Sequence, residues 1–119
     1  MAYSEPYDAI DEQTRNISRA ITSLKEELEA IDWYNQRVNT TTDQNLKEIM
    51  AHNRDEEIEH AVMTFEWLRR NMAGFDEDMK TYLFTEGSLL DVEKQATGAE
   101  GSVSPVGPKP GMAIGNLKK

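Results

Sequence analysis

The 119-residue chain carries a formal charge of -9, with 22 acids against 13 bases, and contains no cysteine. The acidic balance argues against nucleic acid, which rewards clustered Lys and Arg, and favours cations as partners. Disulfides and thiolate metal sites are excluded, so carboxylate and imidazole ligands remain. Met1 to Ile10 has no basic region followed by an apolar run, so no secretory signal is read. No apolar stretch approaches the roughly 20 residues needed to span a membrane. The expectation is one cytoplasmic domain with neither a nucleic-acid nor a membrane partner.

Taken in chain order, the first predicted element is a helix over Thr14 to Val38. Ile17, Ala20, Ile21, Leu24, Leu28, Ile31 and Val38 recur at helical spacing and form one apolar stripe. Thr40 to Asp43 interrupts the pattern, and Thr42 or Asp43 can cap a second helix. That helix is predicted to run to about Met72, with Leu46, Met50, Ala61, Thr64 and Leu68 on one stripe and Gly74 ending it. A shorter helix follows from about Asp76 to Phe84. No strand pattern and no internal repeat is present.

From Gly87 onward the composition changes: six of the 7 glycines and three of the 4 prolines lie there. "TGAEGSVSPVGPKPG" (Thr97 to Gly111) has too little apolar content to offset its ordering entropy. The expected organisation is therefore a helical domain over 1–86, a flexible linker over 87–111 and a short terminal peptide over 112–119. In that last stretch Met112, Ile114 and Leu117 are apolar residues beyond a linker, the pattern of a docking peptide.

The second helix contains "DEEIEH" (Asp55 to His60). With Glu57 as the reference direction, Leu46, Met50, Ala61, Thr64 and Leu68 fall within about 40° and His60 about 60° to one side. Asp55, Glu56 and Glu59 point away. Glu57 thus sits in the centre of an apolar stripe. On the first helix Glu27 lies about 60° from Leu24, at the stripe's edge, while Glu26, Glu29 and Trp33 cluster opposite.

A charged carboxylate left unpaired in an interface costs several kcal/mol, so Glu57 needs a partner. One reading is an ion pair or a protonated acid beside an ordinary core histidine. A second is general acid/base catalysis, for which the helical faces supply no nucleophile and no evident substrate cleft. A third is metal: Glu-x-x-His places two ligands one turn apart on one side of a helix, and Glu27 adds a carboxylate from the other. Ferritin-like di-iron bundles use a Glu from each of two helices and a Glu-x-x-His from each of two more. This chain holds half of that set. A two-fold dimer would bury both stripes and surround one centre with two copies of Glu27, Glu57 and His60. Four carboxylates would then balance two divalent cations.

"EELEAIDWYNQRV" (Glu26 to Val38), "HNRDEEIEHAVMTFEWLRRN" (His52 to Asn71) and "TYLFTEG" (Thr81 to Gly87) closely resemble the encapsulated ferritins, over about the first three quarters of the chain. "AIGNLKK" (Ala113 to Lys119) resembles the peptide by which cargo docks inside encapsulin shells, with Asn116 departing from the commoner Gly-Ser-Leu form. The resemblance implies an all-α fold: two long antiparallel helices and a short third, half a four-helix bundle completed by dimerisation. It implies a ring-shaped decamer, a pentamer of dimers, located in the cytoplasm inside an encapsulin nanocompartment. It implies a ferroxidase that oxidises Fe(II) with dioxygen at a di-iron centre between subunits, the shell holding the mineral. By position, Glu27, Glu57 and His60 become iron ligands, with Glu57 bridging. Tyr34 orients a ligand. Glu26, Glu29 and Trp33 form an outer metal-attracting site, although Trp33 is equally suited to packing against another subunit. Met112, Ile114, Gly115 and Leu117 become shell-docking residues. Two rivals stay open: a non-catalytic divalent-metal buffer or adaptor, and a di-metal oxidase acting on an organic substrate.

Overall fold

The structure is a computed structural model that describes residues 3–98. The described residues are all-helical, as expected: a single 3-10 turn at Tyr7–Ala9, then α1 (Glu12–Thr40), α2 (Gln44–Asn71), α3 (Ala73–Tyr82) and α4 (Leu89–Thr97). The chain divides between Asn71 and Met72 into two compact units, and the expected 1–86 domain spans that division.

The first unit is a hairpin of the two long helices. Asp11 caps α1 by accepting the Thr14 N–H at 2.8 Å, which satisfies one of the free donors of the first turn. The Arg15 guanidinium lies 3.7 Å from the Tyr7 ring centroid and donates to the Tyr7 carbonyl, which ties the 3-10 turn to α1. Of the two candidate caps for α2, Asp43 does the work: its carboxylate accepts the Leu46 N–H at 2.9 Å. Hydrogen bonds from Gln13 to Asn71, Thr64 to Glu27 and Arg54 to Asn35 join the start, middle and end of α1 to successively earlier points of α2, so the helices run antiparallel.

Leu24, Ala61 and Leu68 are the buried apolar residues of this hairpin. Burying one large side chain contributes about 1.5–3 kcal/mol, whereas ordering each residue costs about 1–2 kcal/mol. Two leucines and one alanine are a small core for helices of 29 and 28 residues. Ile21, Leu28 and Leu46, all on the predicted stripes, are 40–46% exposed. Two helices cover only part of each other's apolar face.

The second unit departs from expectation in three places. The break after α2 falls at Met72, whose backbone is extended (φ -137°, ψ 115°), and Gly74 lies within the first turn of α3 instead of ending α2. The Asn71 side chain donates to the Trp67 carbonyl at 2.8 Å, so α2 finishes on a side-chain cap and needs no glycine. The short helix accordingly spans Ala73–Tyr82, beginning and ending earlier than read from the sequence. Phe84 then takes φ 63°, which no bulky residue adopts readily, and the helix stops before it. Finally, α4 lies inside the segment expected to be a linker. Ser88 caps its start, and Gly98 ends it in the left-handed conformation. α3 and α4 pack on each other; burial pushes the Tyr82 hydroxyl up, and Glu93 and Asp78 add to that shift.

Candidate metal centre

Glu27 stands near the middle of α1, and Glu57 and His60 near the middle of α2. The antiparallel stagger brings them together: one ligand atom from each lies within 4.8 Å of the others. All three side chains are half-buried, Glu57 at 29% exposure and His60 at 43%. The three residues picked from helical spacing thus converge across two helices.

The separations suit a cation more than a direct pair. His60 Nδ1 lies 3.6 Å from Glu57 Oε1, and Nε2 lies 3.9 Å from Glu56 Oε1, both too long for a sound hydrogen bond. A first-row divalent ion bonded to two donors at about 2.1 Å leaves them roughly 3 to 4 Å apart. The His60–Glu57 spacing falls in that range, and carboxylate rotation can close the wider ones. Two carboxylates this near each other repel by about 1 kcal/mol in water and by several at an effective dielectric near 20. A cation removes that cost. Hard oxygen donors with one imidazole are the set that suits iron, manganese or zinc.

Thr64 completes the group, one turn beyond His60 on the same stripe. Its hydroxyl lies 3.2 Å from Glu27 Oε1 and 3.0 Å from the His60 carbonyl. Sequence reasoning placed Thr64 on the stripe but gave it no role. The available signal was its polarity: a hydroxyl four residues after His60, among apolar positions, also needs a partner.

Residues 2–86 match the EncFtn-like family. The chain belongs to that family. Its relatives include an encapsulated ferritin-like protein of Rhodospirillum rubrum, 57% identical over 98 residues that span 82% of this chain and 70% of the relative. A ferritin-like protein of Thermotoga maritima is 51% identical over 81% of this chain and 84% of its own. The encapsulin nanocompartment cargo protein EncC of Myxococcus xanthus is 30% identical over 82% of this chain and 80% of its own. Among solved structures, that of protein ne0167 from Nitrosomonas europaea superposes with a TM-score of 0.71 at 55% identity, covering 73% of this chain and 97% of the other.

Of the other predicted residues of this EncFtn-like chain, Tyr34, Glu26, Glu29 and Trp33 are among the described residues and are not members of the three-ligand group. Tyr34 is half-buried, and the Arg37 guanidinium lies 5.5 Å from its ring centroid. Glu26 and Glu29 are exposed on the outward face of α1, as is Trp33 at 49%. Among the described residues the structure does not gather Glu26 and Glu29 into a comparable three-ligand group. Trp33 instead lines an open hollow of about 370 Å³ with Gln36, Arg37 and Thr40. Met112, Ile114, Gly115 and Leu117 lie outside the described residues. No helix among the described residues is long and apolar enough to cross a membrane.

Proposed function

We propose that this chain is a ferroxidase that oxidises Fe(II) with dioxygen at a di-iron centre formed between two subunits and delivers iron for storage inside an encapsulin shell. The observation that carries the reading is the convergence of Glu27, Glu57 and His60 on the shared face of α1 and α2. One chain offers two carboxylates and one imidazole, too few to hold two iron ions. The half-exposed stripe residues Ile21, Leu28 and Leu46 support a second copy packing on this face, which would supply the other half.

Iron is the substrate, and the redox chemistry is its own. Each Fe(II) gives up one electron, and dioxygen accepts the pair. Four carboxylates neutralise two Fe(II). After oxidation the ions carry two further positive charges, which oxide or hydroxide must balance, or the iron must leave. In an open ring it leaves toward the mineral. Tyr34 helps to orient a ligand, and Glu26, Glu29 and Trp33 attract Fe(II) on its way in. The carboxyl-terminal peptide, with Met112, Ile114, Gly115 and Leu117, docks the ring in the shell. The cargo protein of Myxococcus xanthus, named for an encapsulin nanocompartment, supports an encapsulin shell as the partner. One copy of so short a peptide binds weakly, and the decamer's many copies gain through effective concentration.

Aerobic addition of Fe(II) under an oxygen electrode tests the activity. Oxygen uptake above the protein-free background is expected. Uptake equal to background, with iron still bound, would leave a divalent-metal buffer in its place. Anomalous diffraction at the iron edge on Fe-soaked crystals is expected to place two ions against Glu27, Glu57 and His60.

A further inference from the structure

The Thr64 hydroxyl has one hydrogen and two acceptors: Glu27 Oε1 at 3.2 Å and the His60 carbonyl at 3.0 Å. The two are not equivalent. The His60 carbonyl lies inside α2, where helical geometry already supplies it with the backbone N–H four residues on. A second donor there adds little. An ionised carboxylate is the stronger acceptor, and its hydrogen bonds are roughly twice as strong as neutral ones. If the hydrogen turned to the carbonyl, hydroxyl lone pairs would face the Glu27 carboxylate, which is repulsive.

We propose that Thr64 is a positioning residue of the metal centre, whose hydroxyl holds Glu27 Oε1 from the facing helix and leaves Oε2 to bind metal. The proposal rests on the reading of Glu27 as a ligand. It gives Glu27 and Glu57 different parts. Glu27 is held at one oxygen and acts as a one-oxygen ligand, whereas Glu57 has no such hydroxyl donor among the described residues and keeps both oxygens for metal. The same bond crosses from α2 to α1, so it fixes the carboxylate before any cation arrives. Residues that orient metal ligands in this way typically matter by about 10- to 100-fold in affinity.

Co(II) is the probe, because its visible absorption reports the geometry and number of its ligands without turnover. Full-length wild type, Thr64→Val and Thr64→Ser are titrated with Co(II), and folding is followed by circular dichroism. Valine keeps the branched shape and removes the hydroxyl; serine keeps the hydroxyl. Expected are an affinity loss of about tenfold and a changed visible band in Thr64→Val, with both restored in Thr64→Ser. Thr64→Ala is the second hydroxyl-free variant, expected to match Thr64→Val. A role confined to α2 itself would lower the melting temperature and leave Co(II) affinity and spectrum as in wild type. That result overturns the proposal alone. Wild type and Glu57→Ala binding Co(II) equally would overturn the metal reading, and the proposal with it.

Discussion

On the inward face of the α1–α2 hairpin, Glu27 and Glu57 meet His60 among apolar side chains. On the outward face, Glu26, Glu29 and Glu56 lie in solvent. These acids are sequence neighbours of the inward pair, displaced by about 100° per residue around the helix. Glu56 lies 3.7 Å from one histidine, His52, and 3.9 Å from another, His60, so proximity to imidazole does not distinguish it from Glu57. What distinguishes Glu57 is the facing helix, which adds Glu27 and removes water. The outward acids are screened by solvent and salt, whereas the half-buried inward pair is screened less and gains more from a cation.

The largest expected effect comes from the inward face. The Glu27→Ala/Glu57→Ala/His60→Ala variant should oxidise Fe(II) at the protein-free rate in stopped-flow absorbance, with helix content retained by circular dichroism. Wild-type rates in that variant would end the distinction between the faces. Zinc should also inhibit wild type, because it takes the same nitrogen and oxygen ligands and has no redox chemistry.

Next in size is the packing around the site. Leu68 is completely buried, two turns beyond His60 along α2. Leu68→Ala should cost about 2–5 kcal/mol in urea unfolding. On the outward face, Val62 is 59% exposed, and Val62→Ala should shift stability by about 0.5 kcal/mol or less. Equal losses at both positions would mean that the outward face is also covered in the assembled protein.

The outward acids should act on rate of arrival alone. Glu26→Gln/Glu29→Gln is expected to slow Fe(II) oxidation by about tenfold at low ionic strength when iron is limiting, and by less as salt rises. Loss that is indifferent to salt would instead make them ligands.

The smallest effect belongs to Glu66, where the outward face supplies its own counter-charges. Hydrogen bonds from Arg69 and then Arg70 hold this carboxyl down at about 2 from its ordinary 4.5. Its folded-state value lies below the unfolded one. Its contribution is therefore fully present above pH 4.5 and fades as pH falls toward 2. Thermal melts of wild type and Glu66→Gln should differ slightly at pH 7 and converge through that window. A gap that persists at pH 2 would show that the ion pair is not its source.

Much of this organisation was legible before any coordinates. Apolar residues at helical spacing marked α1 and α2. Asp43 was one of two candidate caps, and Glu57 stood out as an acid on an apolar stripe. The misses have local causes. Gly74 looked like a stop, but the Asn71 side chain ends α2 first, and glycine is tolerated in the opening turn of α3. α4 hid in a segment whose glycines and prolines cluster after it, although Ser88 and Gly98 are ordinary start and stop residues. Leu28 and Leu46 belong to the stripes by angle yet stay exposed, because a helical wheel says which way a side chain points and not whether anything stands opposite.

That limit separates the two sources of information about this protein. Sequence by itself determined direction around each helix, since the turn per residue is set by backbone geometry and does not depend on neighbours. It therefore sorted Glu27, Glu57 and His60 from Glu26, Glu29 and Glu56. Position along the partner helix is a different coordinate. It depends on the three residues Thr41 to Asp43 between α1 and α2 and on the packing of α1 against α2 that buries Leu24, Ala61 and Leu68. Only the tertiary structure decided that stagger. With it came the meeting of Glu27 with the Glu57–His60 turn and the Thr64 hydroxyl 3.2 Å from Glu27, because contacts between helices are fixed by packing and not by periodicity.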